Sequence, residues 1–251
     1  MGIPGGNVVK STADIGIRSL AEMTARDLSH LTPLLAVPVG SCEQHGPHLP
    51  LATDTIVATA LCERLARRRA DVVVAPALPV TASGEHAGFP GTLSIGTEAT
   101  RLLLVEYARS ADWAAGIILV NGHGGNHGAV ARAVDVVRAE GRWIHAWWPD
   151  ISRGDAHAGR TETSLMLAIR PDLVRWQAVE AGDSRPLADI LGDLRSGGVM
   201  AVSANGVLGD PTAATLDEGI RLLDLLTDDL VASVEDVLTL NETTPRRPPA
   251  T

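Results

Sequence analysis

Short apolar runs alternate along the chain with longer segments in which apolar residues recur with helical period. The apolar runs are rich in β-branched residues and have no polar face, which is typical of strands buried on both sides of a parallel sheet. Four strands are predicted on this basis, at residues 34–40, 71–80, 115–122 and 143–149. Five helices are predicted between and after them, at residues 54–69, 97–111, 126–140, 161–169 and 215–237. The alternation predicts an α/β fold of three αβα layers with a mostly parallel central sheet.

The pattern continues through the chain without an internal repeat or a linker, and 251 residues are enough to bury one large core. We therefore predict a single α/β domain over residues 1–251. About 15 residues at the N-terminus and about 10 at the C-terminus are predicted to be flexible, as chain ends usually are.

Composition narrows the class of protein. The formal net charge of −9 repels phosphate backbones and argues against a general nucleic-acid binder. Cys42 and Cys62 are too few for a disulfide framework, so we predict reduced thiols in a cytoplasmic protein. No apolar run approaches the roughly 18 residues of a membrane span. The expected partner is therefore a small molecule or a peptide, with no nucleic acid and no membrane.

Segments rich in histidine, carboxylate and glycine follow the four predicted strands. They are "GSCEQHGPH", "SGEHAGFPGT", "NGHGGNHG" and "DAHAGRTETS", in that order. Ligands of open parallel sheets bind beyond the carboxyl ends of the strands. The four segments are therefore predicted to meet at one site.

The first segment contains three candidate metal ligands. Glu43 and His45 point to the same side of an extended chain, because alternate side chains share a face. Asp54 stands where the next helix begins and can face back toward the same place. Taken one by one, such residues are typical of a solvated surface or, for Asp54, of a helix N-cap. Their clustering after a buried strand favours a site for zinc, manganese or ferrous iron, which bind carboxylate oxygen and imidazole nitrogen.

The third and fourth segments add further candidates. His123 lies in a glycine-rich turn between strand and helix, which leaves a phosphate-binding loop as a rival, although the spacing matches neither known phosphate fingerprint. His127 is placed on the helix flank one turn later. Glu162 is either a first-turn partner of the helix dipole or a metal ligand. Convergence with the other ligands favours the metal ligand, with His157 as a proton carrier.

Other polar residues near the strand ends are candidates for substrate contact. Ser83 and Glu85 belong to the turn-rich second segment, and Asn121 ends the third strand. We predict that these three position the substrate. His48 and His86 lie in the same segments and have no predicted role.

These segments resemble, in order and spacing, the motifs of the creatininase family of metal-dependent amidohydrolases, from about residue 34 to about residue 225. The longer stretches "SGEHAGFPGTLSIGTEA", "GDAHAGRTETSLMLAIRPDLVR" and "GGVMAVSANGVLGDPTAAT" are similar to its mycofactocin-system branch. The resemblance implies metal-dependent hydrolysis of a C–N bond. For that branch it implies cleavage of a precursor peptide whose C-terminal Val-Tyr pair has been oxidatively decarboxylated and cross-linked, with release of the modified dipeptide.

The resemblance also implies a set of metal ligands. Family members hold one or two divalent ions with residues that match Glu43, His45, Asp54 and His123, and Asp54 would bridge the two ions. Creatininase has a further ligand, a glutamate, two residues after the last of these histidines. This chain has Gly125 there, which argues against creatinine as the substrate.

The missing carboxylate has a candidate in Glu162, which matches the acid of the family's "ETS" element. His157 matches the histidine that transfers a proton. The implied cofactor is a divalent metal, two ions per subunit, as Fe²⁺ or Zn²⁺ with Mn²⁺ also compatible. The implied assembly is a homo-oligomer. Two alternatives stay open: a cyclic-amide or formamide hydrolase of the same family, and a nucleotide-binding module that uses "GHGGNHG".

Overall fold

The computed structural model describes residues 17–150 and 154–242 of the chain. The termini predicted to be flexible lie outside these ranges, apart from Glu242, at which the last helix ends. Within the same ranges, no helix combines the length and the apolar composition that a membrane span requires.

Four strands form one sheet at the centre of the described part of the chain. They are β1 (Leu34–Val39), β2 (Val72–Val74), β3 (Gly116–Asn121) and β4 (Ile144–Trp147). Their order is β2-β1-β3-β4, and each neighbouring pair is parallel. β1 and β3 are buried along their whole length, as expected from strands with no polar face.

Helices cover both faces of this sheet. They are α1 (Ala25–Leu28), α2 (Thr53–Arg68), α3 (Gly96–Ser110), α4 (His127–Ala139), α5 (Arg160–Ile169), α6 (Leu187–Val202) and α7 (Leu216–Glu242). On one face α2, α5 and α7 contribute Leu61, Met166 and Leu230 to a shared core. On the other face α3 and α4 contribute Leu104 and Val130. The predicted three-layer αβα fold is confirmed, and its sheet is parallel throughout.

β2 is shorter than the strand predicted at residues 71–80. The strand ends at Val74, and beyond it Leu78 forms an isolated bridge to β1. The rest of the predicted strand contains Pro76 and Pro79, which have no N–H to donate to the hydrogen bonds between strands. The chain therefore leaves the sheet early, and the segment after β2 is free to turn toward the neighbouring strand ends.

α6 has no counterpart among the predicted helices. Gly192, Gly197 and Gly198 lie within it, and each glycine in a helix interior costs about 1 kcal/mol relative to alanine. At Gly198 the backbone has φ 68°, and the helix kinks. The three glycines weaken the helical pattern in the sequence, so the helix is not predicted. The kink in the structure lies at Gly198.

Gly219 lets α7 approach α5 closely. A Cβ at this position would overlap the backbone oxygen of Ser164, so the two helices would have to move apart. We expect Gly219→Ala to lower the free energy of unfolding by about 1–3 kcal/mol, which is typical of overpacking. The matched control is Gly192→Ala, which meets nothing within 4 Å and should raise that free energy by up to about 1 kcal/mol. Chemical denaturation measures both, and equal changes would contradict the close packing.

Candidate metal centre

The segments that carry the candidate ligands leave the sheet at the carboxyl ends of its strands, which form one edge of the parallel sheet. Glu43 and His45 follow β1, His86 follows β2, and His123 follows β3. Asp54 lies in the first turn of α2, which begins after the same segment that carries Glu43. All five side chains are buried. The parallel sheet therefore brings together groups that are far apart in sequence.

Glu43, Asp54 and His123 form one group of ligand atoms that could hold a metal ion. His123 Nε2 lies 3.2 Å from Glu43 Oε2, and His123 Nδ1 lies 3.2 Å from Asp54 Oδ2. Neither carboxylate oxygen of Glu43 has a hydrogen-bond partner within the described ranges, although the residue is fully buried. An unsatisfied buried carboxylate is costly. A cation between these atoms would satisfy it.

His45, Asp54 and Glu162 form a second group. His45 Nε2 lies 3.0 Å from Asp54 Oδ1 and 3.9 Å from Glu162 Oε2. Ser41 Oγ donates to Asp54 Oδ2 at 2.6 Å, which fixes the orientation of this carboxylate. Asp54 thus turns one oxygen toward each group. The arrangement could hold two ions side by side.

Burial and mutual charge shift the pKa values in this cluster. Burial alone would lower the pKa of His45, but the charge of Asp54 and a hydrogen bond to it raise that pKa to about 10. Burial also acts to lower the pKa of His123, yet the charge of Glu43 and the nearby carboxylates of Asp54 and Glu85 raise it. Burial and the Asp54 charge raise the pKa of Glu43 itself. The cluster therefore attracts positive charge, as protons or as metal cations.

His157 stands beside Glu43 in the turn that leads into α5. Its Nε2 donates to the backbone oxygen of Gln44 at 2.8 Å, and its Nδ1 lies 3.8 Å from Glu43 Oε1. Burial is the main cause that lowers the pKa of His157, to about 4. The next residue, Ala158, has φ 51° and donates its N–H to Glu162 Oε2 at 2.5 Å. One turn therefore links the candidate proton carrier to a candidate metal ligand.

Two buried histidines without a predicted role also lie at this edge of the sheet. His86 Nε2 is 3.2 Å from Glu43 Oε1, and His48 Nε2 is 2.8 Å from Thr163 Oγ1 of α5. Burial lowers the pKa of His86 to about 2 and that of His48 to about 4. The sequence signal for His86 is its place after the second strand. His48 likewise lies after the first strand, but its contact with Thr163, 115 residues away, has no signal in the sequence.

A cavity of about 470 Å³ opens onto this cluster. Its floor is formed by Glu43, Asp54, His123, His157 and Glu162. Its walls are mainly apolar and include Val57, Trp148, Leu165, Leu187, Leu191 and Leu194. The last three belong to α6, which is not among the helices predicted from the sequence. A charged floor beneath apolar walls is the usual arrangement of a pocket for a small ligand or a chain end.

The three predicted substrate contacts differ in their access to the cavity. Glu85 lines it with a side chain that is 34% exposed, and its Oε1 lies 3.2 Å from His123 Nε2. Asn121 also lines it, but its amide donates to His123 O and accepts from Asn126. Ser83 is fully buried and is not among the described residues that line the cavity. Of the three, Glu85 has the side chain most open to a substrate.

The glycine turn after β3 does not suit a phosphate. The carboxyl groups of Glu43, Asp54 and Glu85 lie within 3.2 Å of the His123 ring at this turn. Their negative charge repels a phosphate group. His127 lies at the start of α4 with its ring 4.4 Å from that of Trp148, on the helix flank where it was predicted. The nucleotide-binding alternative is not supported.

Comparisons with known proteins agree with this geometry. A sequence model of the creatininase family, described as creatinine amidohydrolase, matches residues 21–234. The chain is 52% identical over 212 residues to a mycofactocin precursor peptide peptidase of Mycolicibacterium smegmatis, covering 81% of this chain and 85% of the relative. It is 48% identical over 231 residues to a protein of the same name from Mycobacterium tuberculosis, covering 87% and 91%. Among solved structures, a mutant creatininase of the Zn-Zn type matches with a TM-score of 0.71 and 25% identity, over 88% of this chain and 98% of that chain. The chain therefore belongs to the creatininase family, whose enzymes hydrolyse C–N bonds.

Proposed function

We propose that the chain is a metal-dependent peptidase that hydrolyses the modified mycofactocin precursor peptide near its C-terminus and releases the Val-Tyr-derived dipeptide. The observation that carries the hydrolytic part is the placement of Asp54, whose two oxygens face two histidine and carboxylate groups beneath an apolar cavity. The choice of substrate is supported by the two mycobacterial relatives, with which the chain shares about half of its aligned residues.

The proposed metal ligands divide into two sets that share Asp54. Glu43 and His123 complete the first set, and His45 and Glu162 complete the second. The unsatisfied oxygens of Glu43 fit a cation, and a donor set of oxygen and nitrogen suits zinc, ferrous iron and manganese. We propose two divalent ions per subunit, Fe²⁺ or Zn²⁺, with Mn²⁺ compatible. Such ions, when bound, make hydroxide available at neutral pH and polarise the amide carbonyl.

His157 is proposed to move the proton during hydrolysis. Its Nε2–H donates to the Gln44 carbonyl, so Nδ1 has the free lone pair. Nδ1 can take a proton from the attacking water and give it to the leaving nitrogen, which otherwise departs poorly. Glu162 accepts the N–H of Ala158 and thereby holds the turn that carries His157 beside the second ligand set. This is the catalytic role that we propose for Glu162.

The cavity is proposed to receive the C-terminal end of the peptide. Its leucine and tryptophan walls suit an apolar chain end, and burial of apolar surface contributes about 25 cal/mol per Å². Glu85 and Asn121 line the same cavity and are the proposed polar contacts of the peptide. Contact with Ser83 stays a prediction, because its side chain is fully buried.

Parallel assays of four substrates test the proposed reaction. The full chain, purified anaerobically, is incubated with the modified precursor peptide, the unmodified peptide, creatinine and a formamide, and the products are identified by mass spectrometry. We expect cleavage of the modified peptide with release of the dipeptide. Preferred hydrolysis of creatinine or of the formamide would instead establish the cyclic-amide or formamide hydrolase.

Removal of metal is expected to abolish cleavage and to lower the thermal stability of the chain. Without cations, buried carboxylates at the floor of the cavity lie close together and repel each other. A free metal concentration of 100 times the dissociation constant would stabilise the folded state by about 2.7 kcal/mol. Elemental analysis, activity and thermal unfolding are measured before chelation, after chelation and after addition of Zn²⁺, Fe²⁺ or Mn²⁺. Full activity in a metal-free sample would contradict the mechanism.

We also propose that the chain acts in the cytoplasm as a homo-oligomer built from a single domain. The cytoplasmic setting is supported by the two cysteines, both of which are free thiols. The homo-oligomer is supported by the family resemblance. Light scattering coupled to size-exclusion chromatography measures the assembly, and a monomer at micromolar concentration would contradict it.

A further inference from the structure

Glu85 and Gly125 belong to two turns that meet beside His123. Glu85 lies in the turn Gly84–His86 after β2, and Gly125 lies in the turn Gly124–Asn126 after β3. A Cβ at Gly125 would overlap both Glu85 Oε1 and His123 Nε2. The carboxylate of Glu85 therefore fills the space that any side chain at position 125 would need.

The atoms around the His123 ring indicate which of its two nitrogens carries the hydrogen. Nε2 lies 2.8 Å from the backbone oxygen of Ala82, and 3.2 Å from both Glu85 Oε1 and Glu43 Oε2. A carbonyl oxygen can only accept, so Nε2 carries the hydrogen and Nδ1 carries the lone pair. Nδ1 lies 3.2 Å from Asp54 Oδ2. Two acceptors at this distance repel each other unless a proton or a metal cation lies between them.

We propose, on the basis of the proposed metal-dependent function, that Glu85 is a positioning residue. The Ala82 carbonyl accepts the Nε2–H of His123, and the negative charge of Glu85 beside the same nitrogen helps to hold the ring so that Nδ1 points at Asp54. A metal-binding histidine is fixed in tautomer and orientation when its second N–H donates to a carbonyl or carboxylate, and a nearby negative charge raises its basicity. Glu85 thus acts through His123, in addition to lining the cavity.

The backbone of Glu85 is held from the opposite side by α6. Gly198 has φ 68°, and a Cβ at this position would lie 2.6 Å from Glu85 O. The kink of α6 therefore packs directly against the turn that carries Glu85. Gly198 thus lies against the backbone of Glu85 and Gly125 lies beside its carboxylate, and the positioning role that we propose depends on both close approaches.

The affinity of the full chain for Zn²⁺ measures this role independently of catalysis. The dissociation constant is determined by competition with a chromophoric chelator for the wild-type chain, Glu85→Ala and Glu85→Gln. We expect roughly 10–100-fold weaker binding for Glu85→Ala. Glu85→Gln should lose less, because its amide oxygen can still face the Nε2–H, although it has no negative charge. Nitrogen-15 spectra of histidine in the zinc-loaded chain report whether Nε2 of His123 keeps its hydrogen.

Neighbouring glycines provide a matched steric control. Gly125→Ala places a methyl group against Glu85 Oε1, whereas the methyl group of Gly124→Ala meets nothing within 4 Å. We expect at least about tenfold weaker zinc binding for Gly125→Ala, by displacement of Glu85 and His123. Gly124→Ala should bind zinc as the wild-type chain does.

The outcomes separate the positioning role from the proposed function. Wild-type zinc affinity in Glu85→Ala, with a raised KM for the peptide, would overturn the positioning role and make Glu85 a substrate contact. Equal zinc affinities in the two glycine variants would overturn it as well. A wild-type chain that binds no zinc, iron or manganese would refute the proposed function itself. Circular dichroism checks the fold of each variant, and if Glu85→Ala does not fold, wild-type zinc affinity in Gly125→Ala overturns the proposal.

Discussion

The Asp54→Asn variant is expected to keep its fold and to lose peptide cleavage by about 10³-fold or more. Asp54 presents Oδ1 to His45 Nε2 at 3.0 Å and Oδ2 to His123 Nδ1 at 3.2 Å. Asparagine has the same shape but only one oxygen, so one of the two ligand sets loses its acceptor and meets an NH₂ group instead. The metal content should fall together with the turnover.

Asp217→Asn is the matched control for this substitution. Asp217 also lies in the first turn of a long helix, but it is exposed and far along the chain in α7. Both variants lose the same interaction with a helix dipole, which contributes up to about 1 kcal/mol. Elemental analysis, kcat/KM and circular dichroism are measured for each. Near-normal activity of Asp54→Asn would remove this residue from the metal centre, whereas Asp217→Asn should behave as the wild-type chain.

The His157→Ala variant is expected to lower kcat for the peptide by about 10²–10⁴-fold with no loss of bound metal. His157 Nδ1 is the group proposed to protonate the leaving nitrogen, and no metal ion can make that donation. The loss should therefore shrink for an ester analogue whose nitrophenolate leaves without a proton. An equal loss for amide and ester would show that His157 does not deliver the proton.

His127→Ala tests whether loss of any histidine at the cavity lowers kcat as the loss of His157 is expected to do. His127 lines the cavity and contacts Trp148, but it lies on the flank of α4. We expect its removal to change KM through the apolar wall and to leave kcat within about tenfold of the wild-type value. Steady-state kinetics on the same amide and ester separates the two histidines.

The strands could be predicted from the sequence because burial on both faces leaves no polar alternation. Leu34 to Val39 is such a run, and it forms a fully buried strand. The end of β2 could not be placed, because Pro76 and Pro79 break a run that is otherwise apolar enough to continue. α6 escaped prediction because its three glycines weaken the helical pattern and tertiary packing decides the outcome.

The candidate site could be predicted as far as the topology of a parallel sheet determines it. Four polar segments after four strands had to meet at one edge, and the predicted ligands lie there. The approach of Glu85 to His123 could not be predicted, since it depends on the absence of a side chain at Gly125. The contact of His48 with Thr163 was hidden for a similar reason, because it depends on how α5 packs against a distant turn.

The cavity walls contributed by α6 limit how much of a substrate the cavity can enclose. A volume of about 470 Å³ is in the range of pockets for a single small molecule, so one end of the proposed peptide substrate would fit and the remainder would stay outside. In that case the cavity would distinguish substrates by the residues at the chain terminus. Over evolutionary time the terminal residues of the peptide and the cavity lining contributed by α6 would then have to change together.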